Sequence, residues 1–401
     1  MSIKSVKLGD VCSVKGGYAF KSSEFVNNGV PVLKIANITK NLIHFDENSS
    51  FFDEAEIHKY SDYIVEDGDI LIALSGATTG KYGIFNYKEK ALLNQRVGRI
   101  RPISNLIVPK YLYYFMSKLQ EKILYKAGGA AQPNISTNEI AKLSIPLPPL
   151  ESQKQIVNVL DLAKELINKR RDQILALDEM TQSLFLEMFG DPKINPKNWP
   201  VGTIEDLSIK TQYGTSKKAD EQNGSYSILR MNNITYNGGW DFSSLKYIDL
   251  NDKDKEKFLV NKGELLFNRT NSKELVGKTA VYREDEPMAF AGYLIKLICN
   301  EKANEEFISA YLNSKYGKVV LNSMAKNIVG MANINAKELK SISIYIPPKD
   351  LQDEFADINL KIMKKRELLL KGLDKLEEQY LSLLQSAFKG ELFAQAKVSN
   401  L

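Results

Sequence analysis

Two glycine-lysine turns are the first places where this sequence invites chemistry. A phosphate-binding Walker loop needs four residues between its glycines and a Ser or Thr after the lysine to hold magnesium. GATTGK at 76–81 has three and is followed by Tyr82; Gly277-Lys278-Thr279 ends correctly, but Ser272 stands where the first glycine belongs. Both read as glycine-bearing turns between strands, not as nucleotide sites. NPKNWP (195–200) lacks the second proline of the Asn-Pro-Pro-aromatic motif of adenine methyltransferases, and no glycine-rich cofactor loop accompanies it. Asp67 and Asp69 cannot be assembled into a nuclease site by spacing alone. Cys12 and Cys299 are too few for a disulfide framework. Together with His44 and His58 they leave too few ligands for a Cys/His zinc site, and they argue against a histidine-based triad. No catalytic residue and no metal ligand is assigned.

What remains are side chains able to contact phosphates and base edges. LLNQRVGRIRP (92–102) offers Asn94, Gln95, Arg96, Arg99 and Arg101, the last two on one strand face. Asn and Gln pair bidentately with adenine, and Arg with guanine, in a major groove. Lys34 and Asn37 lie in VLKIANI (32–38), and the 76–83 loop adds Lys81, Tyr82 and backbone amides. Further along stand Arg230, Asn232, Asn233, Arg269, Asn271, Lys273 and Lys278, with Tyr213 and Tyr236 able to stack or pack near a contact surface. Any one of these residues is an ordinary surface choice; their occurrence on both copies of a duplicated unit gives them meaning.

That duplication organises the chain. IPLPPLESQKQI (145–156) returns as IYIPPKDLQDEF (344–355) at an offset of 199, placing Gln153 over Gln352 and Pro148-Pro149 over Pro347-Pro348. VLKIANI lies over ILRMNNI (228–234), EDGDILIA (66–73) over NKGELLFN (261–268), and Gly80-Lys81 over Gly277-Lys278. Each half is thus a globular segment of about 150 residues followed by a helix of about 40, with a proline-bearing helix stop and linker at DPKINPKNWP (191–200). Short β-branched runs at 31–38, 69–74, 97–100 and 142–147 predict strands. The spacing predicts helices over 110–126 and 305–318, and Ser136–Glu139 and Asn335–Glu338 have capping-box spacing.

The helical halves carry sustained 3-4 spacing. Ile156, Leu160, Ala163, Ile167, Ile174, Leu177 and Leu184 form one apolar seam; Phe355, Ile362, Leu369, Leu373, Leu376, Tyr380 and Leu383 form the other. A seam about 58 Å long cannot stay solvated. Antiparallel pairing within the chain would put the globular segments at opposite ends, and a homodimeric coiled coil is the alternative. Arg170, Asn359 and Arg366 sit in or near the seams and could fix register. The expected fold class is α+β: two similar strand-rich mixed α/β domains separated by two long antiparallel coiled-coil helices, a pseudo-twofold internal repeat.

With 401 residues, 43% hydrophobic and 26% charged, the chain is neither disordered nor membrane-embedded. Lacking a secretory apolar core at its start, it is expected in the cytoplasm. The net charge of +5 is unevenly spread. Residues 151–191 carry −3 and 350–392 carry −2, which leaves +10 on the remaining segments, where a polyanion would bind. A lysine-rich solvated surface is the plain alternative.

The arrangement resembles the specificity subunit of type I restriction-modification systems. The resemblance is carried by IPLPPLESQKQI with its helix ending LFLEMFGDP, and by IPPKDLQDEF with its helix ending LLQSAFKGEL. The linker NPKNWP and the SGATTGKYGIF turn add to it, while the second copy departs at NRTNSKELVGK (268–278). It implies a first target recognition domain at 1–147, a conserved spacer helix at 148–190, a linker and second recognition domain at 191–346, and a second conserved helix with a tail at 347–401. It further implies that the domains read the two halves of a split, asymmetric double-stranded DNA site. By the same resemblance the helices hold two modification subunits, and restriction (translocase/nuclease) subunits join them. The chain itself would be non-catalytic and hold no cofactor, with S-adenosylmethionine, ATP and Mg on its partners. A coiled-coil adaptor whose ends bind proteins, or an enzyme acting on DNA alone, are the competing readings.

Overall fold

A computed structural model describes residues 4–46, 49–127, 133–328 and 331–392. Residues 1–3 of the first expected domain and the tail 393–401 lie outside them. The chain divides into two compact units, 1–169 with 373–401, and 170–372. These units cut both long helices in mid-course, whereas the resemblance implies boundaries at both helix starts and at the end of the first helix.

In the first unit, strands Ser50–Phe52, Val30–Leu33, Ala91–Leu93 and Ile64–Val65 form one sheet in that order. The pairing of Val30–Leu33 with Ala91–Leu93 is parallel. A second sheet runs Cys12–Gly16, Val97–Pro102, Ile70–Ala73, Tyr82–Ile84, with Leu42–Ile43 and Ile38–Thr39 at its edge. The second unit repeats both orders, without that edge pair. Lys246–Ile248, Tyr226–Leu229, Met288–Phe290 and Leu259–Val260 make one sheet. Ser208–Tyr213, Leu294–Cys299, Leu265–Asn268 and Thr279–Val281 make the other. Ile70–Ala73 and Leu265–Asn268 are buried at every position, so neither alternates apolar with polar, and Asn268 is the one polar residue among them.

First and last strands of each copy close on each other: Ser5–Lys7 pairs with Ser144–Pro146, and Val201–Thr203 with Ser343–Tyr345. Each copy therefore ends where it began, and the double proline then starts a long helix. A buried glutamine locks that start. Gln153 Oε1 accepts from Val108 N at 2.8 Å, while Nε2 donates to Leu106 O and Pro148 O. Gln352 repeats the bracket with Asn304 N, Lys302 O and Pro347 O.

The long helices are Leu150–Phe189, 40 residues, and Lys349–Lys389, 41 residues. The first ends at Gly190, whose φ of +84° suits a glycine helix terminus. Within the second unit the pairing is antiparallel. Arg170 meets Gly372, Asp178 meets Arg366 at 2.6 Å, Thr181 meets Asn359, and Phe185 and Phe189 meet Phe355. Of the expected seam positions, Ile156, Leu160, Ile167, Ile174, Phe355 and Ile362 are buried. Ala163, Leu177, Leu184, Leu369, Leu373, Leu376, Tyr380 and Leu383 are half-buried.

These seams are not closed by helices alone. In the first unit Ile156, Leu160 and Leu384 share a core with Leu8, Ile70 and Tyr111. In the second, Phe185, Phe189 and Phe355 pack with Phe307 and Tyr311. The helix halves thus complete each domain's hydrophobic core, which a heptad count on the helices cannot reveal.

Helix Pro109–Ala127 matches expectation, but its counterpart breaks into Glu305–Asn313 and Lys315–Met324. Ser314 caps the second piece through Gly317 N, and a Cβ on Gly317 would lie 2.3 Å from Tyr311 O. Both expected capping boxes form, at Ser136–Glu139 and Asn335–Glu338.

Candidate nucleic-acid interface

Corresponding turns in the two domains share one hydrogen-bond skeleton. Ala73 N donates to Lys81 O and Gly80 N to Ala73 O; Asn268 and Lys278, with Gly277, do the same. Leu74 N donates to Arg96 O, and Arg269 N to Tyr293 O. Ile135 N then donates to Leu74 O, and Ile334 N to Arg269 O. Three segments therefore meet in each domain: the glycine-lysine turn, the turn entering the Val97–Pro102 or Leu294–Cys299 strand, and the stretch before the capping box.

The skeleton sorts the candidates. In the first domain Gln95 and Arg96 are exposed on that entering turn, with Asn94 and Lys81 half-exposed beside them. Lys34 follows the strand whose Leu33 O accepts from Asn94 N; its Nζ donates to Ser50 Oγ at 2.6 Å and lies 4.6 Å over the Phe25 ring. These residues gather at one edge of the domain.

Several expected readers are structural instead. Arg99 is 4% exposed and donates to Ile64 O; Lys296, its counterpart on the repeated strand, donates to Leu259 O and pairs with Glu264 at 3.0 Å. Burial is the first cause that lowers the Arg99 pKa, ahead of Arg101. Arg101 is bound bidentately by Asp69, at 2.8 and 2.7 Å, and pairs with Glu66 at 3.0 Å. The Asp69 hydrogen bond is the main cause raising its pKa. Tyr82 is buried, and burial raises its hydroxyl pKa. Asn37 accepts from Lys34 N and donates to His44 O; Asn233 repeats this with Arg230 N and Asp241 O, all at 2.8 Å. Such self-contained turns hold the backbone, and their amides are spent. The amides of Gly76, Thr79, Gly80 and Lys81 all donate to carbonyls within the fold, so they do not cradle a phosphate either.

In the second domain Arg269 lies 4.9 Å from the Tyr213 ring, with its Nε unpartnered. Tyr213 is 39% exposed and Tyr293 49% exposed. Asn271 is half-exposed and caps Ser272 N at 2.8 Å, while Lys273 is exposed. Arg230 donates to Ser244 O at 2.5 Å, and exposed Asn232 sits near Ser244 Oγ. Lys278 is buried, its Nζ on Ile234 O.

The sequence reading missed Tyr18 and Tyr293. Tyr18 is 38% exposed, bridges to Asn94, and is braced by Tyr60 and Tyr63 rings at 5.0 and 5.3 Å. A signal existed: a Cβ on Gly17 or Gly214 would sit 2.1 or 2.2 Å from the Asn94 or Ala291 carbonyl. The glycine beside an aromatic in GGYAF and in QYGTS marks this forced approach.

Among the described residues no His/Cys/Asp/Glu group could hold a metal ion, and no helix is long and apolar enough to cross a membrane. The EcoKI specificity subunit of Escherichia coli K12 is 24% identical over 420 residues, covering 96% of this chain and 88% of that protein. The MjaVIII specificity subunit of Methanocaldococcus jannaschii is 36% identical over 199 residues, but the match spans only 48% of this chain and 46% of that protein. The type I restriction-modification S subunit from M. genitalium superimposes with a TM-score of 0.58 at 15% identity, covering 96% of each chain. A chain from a structure of type I R-M complex assembly and conformational transition gives 0.59 at 14%, covering 98% of each. At such identities these two speak for the fold. The type I restriction modification DNA specificity domain matches twice, at residues 2–176 and 196–378, and with most of its length so accounted for the chain belongs to that family.

Proposed function

We propose that this chain is the DNA sequence-specificity subunit of a type I restriction-modification complex, each domain reading one half of a bipartite, asymmetric site. One observation carries this reading: a single skeleton occurs twice, with different side chains at corresponding exposed turns. Asn94-Gln95-Arg96 in the first domain is matched by Ala291-Gly292-Tyr293 in the second, and Leu74-Ser75 by Arg269-Thr270. Shared scaffold with divergent tips is what two readers of different half-sites require. Phosphate contacts supply affinity and register; base edges supply the choice of sequence. Linking two readers in one polypeptide makes the second encounter intramolecular.

The long helices serve as spacer and as docking surface for two modification subunits. Exposed apolar side chains support the docking role: Leu162, Leu166 and Leu381 in the first unit, and Leu175, Met180, Leu186 and Leu368 in the second. Restriction subunits join the same complex in the cytoplasm. Methyl transfer from S-adenosylmethionine and ATP- and Mg-dependent cleavage belong to those partners, and this chain recognises without catalysing. Selecting bound duplexes from a random pool tests the reading: two specified blocks flanking unspecified bases support it, and sequence-indifferent binding refutes it. Binding insensitive to salt would favour a protein adaptor, since phosphate contacts make affinity fall steeply as salt rises.

A further inference from the structure

A cavity of about 140 Å³ in the second domain is walled by Tyr236, Lys273, Glu274, Gly277, Lys278 and Lys318. Lys278 is 8% exposed, and its Nζ donates to Ile234 O. Lys318 Nζ lies 3.0 Å from the centre of the Tyr236 ring and donates to Tyr236 O at 2.7 Å. Among the described residues neither lysine forms an ion pair, and Glu274 on the same wall is exposed. Buried charges are ordinarily paired, yet the buried Lys278 is held by a carbonyl and the half-buried Lys318 by a carbonyl and the Tyr236 ring, so with Lys273 the wall carries more positive charge than the single Glu274 offsets. The strain is felt by the groups themselves. Burial, then the nearby Lys278 charge, brings the Lys318 pKa down to about 8, and burial lowers that of Lys278.

The first domain does not repeat the feature. Its turn glycine, Gly80, faces the apolar Ile123 and Leu124, and one helical turn before Ile123 stands the uncharged Gln120. Gly277 faces Leu321, and one turn before that stands Lys318. The second cation is therefore an addition to the shared scaffold, not a requirement of it.

We propose that this cavity is a phosphate-binding pocket, and that its ligand is a backbone phosphate of the DNA engaged by the second domain. The assignment rests on the DNA-reading function. A tetrahedral oxyanion satisfies the free hydrogen-bond directions of both ammonium groups at once. Because it touches no base edge, the contact strengthens binding alike for every sequence.

The full chain is titrated with duplex DNA between 50 and 200 mM salt, comparing wild type with Lys318→Gln, Lys278→Met and the exposed charge control Lys253→Gln. Losing one phosphate contact lowers the slope of log affinity against log salt by about 0.9. The expected result is that loss in Lys318→Gln and Lys278→Met, uniform across sequences, with Lys253→Gln unchanged. A parallel arm follows lysine ¹³Cε signals as inorganic phosphate is added. Coincident slopes for wild type and both pocket variants overturn the proposal, including the case where inorganic phosphate alone shifts the lysine signals. A wild-type chain with no salt-dependent DNA binding overturns the DNA reading beneath it.

Discussion

Replacing Gln153 by alanine removes the bracket that fixes the start of the first long helix. The side chain is fully buried and makes three hydrogen bonds, one accepted from Val108 N and two donated to Leu106 O and Pro148 O. A buried polar group left unpaired costs about 1–3 kcal/mol. Water entering the vacated space recovers part of this for three groups, leaving a net loss of about 3 kcal/mol. For a unit of roughly 200 residues, each kcal/mol moves the midpoint by about 2–4 °C, so its transition should fall by about 6–12 °C. Gln153→Glu keeps the bond from Val108 N but sets a carboxylate against two carbonyls, and should be at least as damaging. Calorimetry and urea titration read both, and Gln352→Ala should repeat the effect through its own bracket. A loss below about 1 kcal/mol in both alanine variants would refute the claim that these glutamines anchor the helices.

The Arg366–Asp178 pair is about four-fifths buried on both sides, and Asn237 is a further partner of Asp178 at 3.1 Å. Arg366→Met should cost about 2 kcal/mol by urea titration, with much of it regained in the Asp178→Asn/Arg366→Met double variant. Burial pushes the Cys12 thiol up to about 12 and raises that of Cys299 as well. Both should therefore resist a thiol reagent at pH 8 in the native protein and react only on unfolding. Lys318 has a lowered pKa, so its charge is present below pH 8 and lost as pH rises through about 8. DNA affinity should fall across that window, and the fall should flatten in Lys318→Gln. Arg269→Ala removes a guanidinium stacked on Tyr213 and should relax one block of the selected sequence at a cost of about 1–3 kcal/mol.

Much of the architecture was legible because repetition and periodicity are local properties. Double prolines, matched glutamines and 3-4 apolar spacing announced two domains and two long helices, and both capping boxes appear where their spacing put them. The readers were harder to pick. Arg99 and Arg101 look like base-reading side chains, yet the Ile64 carbonyl draws Arg99 inward and Asp69, 32 residues before Arg101, holds the other. Their role becomes visible only when Lys296 and Glu264 repeat it with other residue types. Asn37 and Asn233 fell to a turn whose closing carbonyls lie seven and eight residues downstream. The broken helix at Ser314 depends on a backbone approach to Gly317 that no propensity encodes. Gly17 marks the close approach beside Tyr18, but the rings that brace it, Tyr60 and Tyr63, are distant in sequence.

The most direct test of two dissimilar readers in one chain is selection of bound duplexes with the full protein and its modification subunits, repeated with Arg96→Ala and with Arg269→Ala. The account predicts two specified blocks separated by unspecified bases, with each variant relaxing a different block. One continuous block, or both variants relaxing the same block, would contradict it.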